Sequence, residues 1–167
     1  NDVIRALQDL AAYKRSLYHC PVIGITGSNG KTVVKEWLYQ LLKGDYRITR
    51  SPKSYNSQIG VPLSVWEMDE RTTLAIFEAG ISQPGEMRNL ERVIRPTMGV
   101  LTYIGPEHGE NFDSLQQKRA EKMLLFANCN VVIEDPTHQN IRTCAAVMRA
   151  LGYDEDEINK RILEQTH

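Results

Sequence analysis

Gly24-Ile25-Thr26-Gly27-Ser28-Asn29-Gly30-Lys31-Thr32 follows the apolar run Pro21-Val22-Ile23, and residues 33–42, VVKEWLYQLL, come next with helix-compatible spacing. The order predicts a buried strand, a glycine-rich turn and the first turn of a helix, the arrangement that builds a triphosphate site. Gly27 and Gly30 let the backbone curl so that successive N–H groups, from Ser28 through Val33, face one anion. The helix adds its unpaired first N–H groups and the positive end of its dipole. Lys31 brings a full charge to the outer phosphates, and the Thr32 hydroxyl is placed for Mg²⁺. The stretch departs from the common G-x-x-x-x-G-K-[ST] pattern at its first position, which falls on Ile25. The plain alternative is a glycine turn with no ligand. The strand before it, the helix after it and the Lys-Thr pair favour the phosphate reading.

Strand and helix alternate along the rest of the chain. A first helix runs from Asp2, a candidate cap, with Val3, Ile4, Leu7, Leu10 and Ala11 on one face. Strands are expected at 22–26, 46–50, 73–78, 98–103 and 131–134, and helices at 32–42, 61–67, 82–94, 114–126, 138–151 and 154–163. Pro62 and Pro84 suit first turns, and Pro96 stops a helix. Ser114 with Gln117, and Asp154 with Glu157, read as capping boxes, and Gly152 as a C-terminal cap. Unbroken apolar strands between helices predict a doubly wound α/β fold, its mostly parallel sheet covered on both faces. The ligand crevice should lie beyond the carboxyl ends of the strands, where the polar loops converge.

The chain of 167 residues is long enough for one domain with a real core. Apolar residues make up 41% and charged residues 25%, with a net charge of −1. No basic surface for nucleic acid is implied, and no apolar run reaches membrane-span length. Cys20, Cys129 and Cys144 have no zinc or disulfide spacing, so they read as small hydrophobes in a reducing, cytoplasmic setting. There is no signal-peptide pattern. Asn1 is not an initiator methionine, which reads as a fragment or a processed chain. A monomer is expected.

The variant T-G-x-N-G-K-T resembles the ATP loop of the Mur ligases and their relatives, the folylpolyglutamate synthetases. Residues 24–36, GITGSNGKTVVKE, resemble the branch that adds D-Ala-D-Ala to UDP-MurNAc-tripeptide, and 6–15, ALQDLAAYKR, its preceding helix. Residues 56–63, NSQIGVPL, are similar to its N-N-x-I-G-V-P-L. Residues 78–87, EAGISQPGEM, are similar to E-M-G-x-x-x-x-G-E-I, and 104–114, IGPEHGENFDS, to I-x-x-A-H-L-E-x-F-G-S. The wording of 51–66 resembles the form of that branch fused to an alanine racemase in Bacteroides-type bacteria. The resemblance implies an ATP- and Mg²⁺-dependent amide ligase of peptidoglycan precursor synthesis, working through an acyl phosphate. It also implies that these residues form the central ATP-binding domain. The domains for the UDP-sugar and for the incoming amino compound then lie outside the chain, and the interval at 135–138 is shortened. Another ligase of the same superfamily, and a nucleotide-binding module without catalysis of its own, are the rival readings.

The same resemblance proposes roles for further residues. Glu78, at a strand end, can hold Mg²⁺ or be a solvated strand terminus. His108 falls at a second magnesium site or is a surface histidine, with Glu107 and Glu110 beside it. Lys122 matches a lysine that the family carbamylates, or lies with Lys118 and Arg119 on a solvated helix face. Asn140 matches an asparagine that contacts adenine, or merely starts a helix. Asn56 and Ser57 touch substrate or phosphate, or shape a turn. Ser82 and Gln83 replace a family Asn-His pair and receive no role.

Overall fold

A computed structural model describes residues 2–106 and 111–166. The helices are α1 (Asp2–Ser16), α2 (Lys31–Leu42), α3 (Gly60–Trp66), α4 (Glu86–Ile94), α5 (Leu115–Met123), α6 (Asn140–Ala150) and α7 (Glu155–Gln165). The strands are β1 (Val22–Thr26), β2 (Ile48–Arg50), β3 (Leu74–Glu78), β4 (Met98–Leu101) and β5 (Val131–Glu134). They form one sheet in the order β2-β3-β1-β4-β5, and every pairing is parallel. This is the doubly wound α/β sheet that the alternating pattern predicts.

Strand alternation sends side chains into two cores. Ile23, Ile25, Leu74, Ile76, Met98 and Val100 meet Val34, Leu38 and Leu42 of α2 and Cys144, Val147 and Met148 of α6. Val22, Ala75, Phe77 and Leu101 meet α1, α3, α4 and the 3-10 turn Leu124–Phe126 on the other side. Cover on both faces holds for the three central strands, which are wholly buried. At the edge, Val131 and Val132 of β5 are exposed.

Two helices start later than their sequence pattern predicts. Before α4, the Glu86 carboxylate accepts the N–H groups of Ser82 (2.7 Å) and Gln83 (3.0 Å), and Gly85 takes a φ of 91°. Residues 82–85 therefore wrap around an acidic side chain instead of forming a helical turn. Before α6, the Asp135 carboxylate accepts from Gln139 N (2.8 Å) and the Thr137 hydroxyl, and His138 has a φ of 55°. That turn delays the helix to Asn140. The Ser114 and Asp154 side chains cap their helices, each accepting from the third residue, Gln117 (3.0 Å) and Glu157 (2.8 Å). The reciprocal half of each expected box differs: the Gln117 side chain accepts from Asp113 N, and the Glu157 carboxylate accepts from Arg161.

Arg161 on α7 pairs with Asp45 (2.7 Å) and donates to Leu41 O (3.0 Å), tying α7 to the end of α2. The Tyr153 hydroxyl also donates to Asp45. Together, the hydroxyl first and Arg161 second, they hold the Asp45 carboxyl below its usual range. A depressed carboxylate stabilises the fold above its unfolded value, and the benefit is lost as pH falls through the folded value. Asp45→Asn is therefore expected to lower the melting temperature at neutral pH, by the equivalent of about 1 kcal/mol or less for so exposed a pair. The gap from the parent should close below about pH 4, which a series of thermal melts checks. Burial pushes the thiols of Cys129 and Cys144 up to about 11 and about 12, so both stay protonated, as small hydrophobes do. No helix among the described residues is long and apolar enough to cross a membrane.

Candidate functional site

The loop after β1 and the end of β3 lie side by side, because Ile25 is in register with Glu78 on one side and Val100 on the other. β1 leads into α2 on one face of the sheet and β3 toward α4 on the other. The crevice thus opens at a topological switch point, beyond the carboxyl ends of the strands.

Gly27 takes a φ of 145° and Gly30 a φ of 94°, conformations that residues with a Cβ avoid. Ser28 N (2.7 Å) and Asn29 N (3.3 Å) both donate to Tyr103 O, and the Ser28 hydroxyl accepts from Gly105 N (3.2 Å). These two amides brace the loop against the chain that follows β4. The helix start remains: Lys31, Thr32 and Val33 are the first residues of α2, and no carbonyl of the helix can accept from their N–H groups. Lys31 Nζ folds across the loop to Gly27 O (2.7 Å) and Ser28 O (3.4 Å).

Glu78 is fully buried, so the solvated strand terminus is ruled out. The Thr32 hydroxyl lies 3.1 and 3.0 Å from its two oxygens, Asn56 Nδ2 donates to it at 3.1 Å, and Lys35 Nζ sits 3.0 Å away. Asn56 thus holds Glu78, while the Ser57 hydroxyl accepts from Gly60 N (3.1 Å) and shapes the turn into α3. Both also line a cavity of about 440 Å³ that reaches Lys31, Gly80 and Ser82. Among the described residues there is no group of three or more His, Cys, Asp or Glu side chains that could hold a metal. A hydroxyl beside one carboxylate, with few other protein oxygens, fits Mg²⁺, which keeps waters and draws ligands from phosphates.

Lys122 and Lys118 are buried, which removes the solvated-face reading for both. Lys122 Nζ donates to Gly27 O at 3.2 Å, the same carbonyl that Lys31 reaches, and Lys118 donates to Gly105 O. Arg119 alone faces solvent and pairs with Glu134 (2.7 Å). Asn140 opens α6 and stands over Gly30, where a Cβ would meet its Oδ1 at 2.8 Å. Tyr103 and His138 make an edge contact nearby, with centroids 5.3 Å apart. Val33 is half-exposed at the first turn of α2. His108, with Glu107 and Glu110, lies outside the described residues.

Sequence reasoning missed Lys35 and Ser51. The signal for Lys35 was available: it sits one helical turn after Thr32, on the stripe that Val34, Leu38 and Leu41 bury. Ser51 carried no signal, since its hydroxyl accepts from Glu78 N (3.1 Å) across two strands distant in sequence.

A model of the Mur ligase middle domain matches residues 25–165. The chain belongs to the Mur ligase middle-domain family. Among curated Mur ligases, the UDP-N-acetylmuramoyl-tripeptide–D-alanyl-D-alanine ligase of Bacillus subtilis is 34% identical over 93% of this chain and 35% of its own length. The same enzyme of Borreliella burgdorferi is 38% identical over 75% of this chain and 27% of its own. The chain thus spans about a third of the length of the curated relatives it matches. MurF from Acinetobacter baumannii superposes with a TM-score of 0.84 at 20% identity, covering 95% of this chain and 49% of that one, a likeness of fold. MurF from Thermotoga maritima, solved in complex with ADP, superposes with a TM-score of 0.68 at 28% identity over 78% of this chain and 31% of its own.

Proposed function

We propose that this chain is the ATP- and Mg²⁺-binding domain of a cytoplasmic ligase that joins D-Ala-D-Ala to UDP-MurNAc-tripeptide. The observation that carries this reading is the Thr32 hydroxyl at 3.0 Å from the buried Glu78 carboxylate, beside the Gly27–Gly30 turn. The names of the curated relatives supply the substrates.

Lys31 exchanges the loop carbonyls for the outer phosphates and, with the first amides of α2, spreads the charge that develops on the transferring phosphoryl group. Thr32 and Glu78 hold Mg²⁺, which neutralises phosphate oxygens when bound. Asn140 lies beside the loop to contact adenine. Lys122 braces Gly27, and in its carbamylated form it would offer an anion to a second metal. The cavity beside Lys31, Asn56 and Ser57 receives the carboxylate end of the peptide. That carboxylate oxygen attacks the γ-phosphorus, and the bond to ADP breaks. The amino nitrogen of D-Ala-D-Ala then attacks the acyl carbon, releasing phosphate and a proton.

A mass-spectrometric assay with UDP-MurNAc-tripeptide, D-Ala-D-Ala and Mg–ATP tests the reading. The 167-residue chain alone is expected to bind nucleotide and form no pentapeptide, because positioning of both substrates supplies much of the rate. Joined to the remaining length of such a ligase it should form pentapeptide, and Lys31→Ala should abolish this. If the joined protein accepts only a single amino acid, the rival reading of another Mur- or folylpolyglutamate-type ligase holds instead. Pentapeptide from the isolated chain at the joined protein's rate would overturn the domain assignment.

A further inference from the structure

One lysine of the phosphate-binding helix takes no part in the chemistry above. Lys35 is fully shielded from solvent, and so is Glu78 opposite it. Its ammonium donates to Ser51 O (2.7 Å) and Lys53 O and lies 3.0 Å from Glu78 Oε2. All three of its donors therefore have oxygen acceptors, the condition under which a buried charge is tolerated. Ser51 closes a ring: its carbonyl accepts from Lys35 and its hydroxyl accepts from Glu78 N (3.1 Å). Lys53 sits at a φ of 49°, which few residues with a side chain adopt. The arrangement fixes the Glu78 carboxylate from behind, while Asn56 and Thr32 meet its remaining lone pairs.

A buried carboxylate with no counter-charge would be a strong site for any divalent cation. Here Lys35 already neutralises it, so a cation gains little from Glu78 until phosphate oxygens add their charge. We propose that Lys35 is a positioning residue that aims Glu78 and withholds it from free divalent cations, so that the metal enters only together with the phosphates of the nucleotide. The proposal rests on the reading of Thr32 and Glu78 as the metal-facing pair.

Mn²⁺ is the probe, counted by electron paramagnetic resonance with and without ADP on the full chain. The parent should bind Mn²⁺ at least about tenfold more tightly when ADP is present. Lys35→Met should bind Mn²⁺ without ADP at least about tenfold more tightly than the parent, since the metal takes over the role of the missing ammonium. Its melting temperature should rise with Mn²⁺ alone, and the double variant Lys35→Met/Glu78→Gln should lose both effects. A purely structural lysine predicts no gain in Mn²⁺ affinity on its removal. If Lys35→Met folds only when Mn²⁺ is added, that recovery supports the proposal, and no recovery counts against it. Equal Mn²⁺ binding by the parent with and without ADP overturns it, as does parent-like Mn²⁺ affinity in Lys35→Met. Glu78→Gln separates the two readings. If that variant binds Mn–ADP as the parent does, the metal role of Glu78 fails. If it loses Mn–ADP while Lys35→Met gains nothing, only the role of Lys35 fails.

Discussion

Lys31→Ala is expected to weaken Mg–ADP binding by about 10- to 100-fold while leaving the melting temperature of the free chain close to that of the parent. Lys31 is partly exposed and donates to carbonyls of its own loop, Gly27 O at 2.7 Å and Ser28 O at 3.4 Å. At this partly exposed position the ammonium exchanges water for neutral carbonyls, so removing it costs the free chain little stability. With phosphate the acceptor is charged as well, and bonds between opposite charges contribute about 1.5–3 kcal/mol, which is where the affinity loss comes from. Lys122 does not substitute for it, because its ammonium is buried behind Gly27 O. Isothermal calorimetry paired with thermal melts reads both quantities. Equal affinity in the parent and the variant would remove Lys31 from the phosphate site.

Gly27→Ala should cost far more, and through the fold. A Cβ at this position would lie 2.0 Å from Thr102 Oγ1 and 3.0 Å from the Thr102 backbone carbon, at a φ of 145°. The hydroxyl cannot simply rotate away, because it donates to Thr26 O (3.2 Å) and the backbone behind it is tied by Thr102 N to Thr26 O (2.8 Å). Strain of about 1–3 kcal/mol from the dihedral and about 1–3 kcal/mol from overpacking add to a loss of several kcal/mol. A urea titration should show the midpoint falling steeply, together with loss of nucleotide binding. Gly44→Ala, where a Cβ meets nothing within 4 Å, is the control expected to leave the midpoint nearly unchanged. A parent-like midpoint for Gly27→Ala would mean that the turn is not held as described.

The central strands were legible because both of their faces are buried, so their apolar runs are unbroken. The end of β4 carries no breaker, and the expected strand at 98–103 overruns Leu101 by two residues. The loop at 24–32 was legible because its glycines and its Lys-Thr pair occupy fixed offsets from a strand and a helix. The start of α4 was not, since the Pro84 signal competes with the Glu86 carboxylate, whose capture of the Ser82 and Gln83 amides depends on the three-dimensional turn. The start of α6 was lost in the same way to Asp135. In the site, Glu78 could be chosen from its strand end, but its partners could not. The helix period places Lys35 on the buried stripe of α2 but not against Glu78, and Asn56 reads as a turn or substrate residue, until the sheet order brings the ends of β2 and β3 against α2. Lys122 likewise reads as part of a charged helix face, and only packing reveals that it points inward at Gly27.

A larger groove, about 810 Å³, lies at the opposite end of the sheet, between the end of α2 and the starts of β2 and β3. Its lining mixes the cations Lys43, Arg47 and Arg71 with the carboxylates Asp45 and Asp69, and the α2 terminus it meets is the negative end of the helix dipole, which disfavours phosphates. Titration of isotope-labelled chain with Mg–ADP, followed amide by amide by nuclear magnetic resonance, decides between the two places. The account predicts the largest shifts at Gly27, Gly30, Lys31, Thr32 and Val33, with further shifts at Glu78 and Asn140. Shifts confined to Tyr39, Lys43, Arg47 and Arg71, or no saturable shift at all, would contradict it.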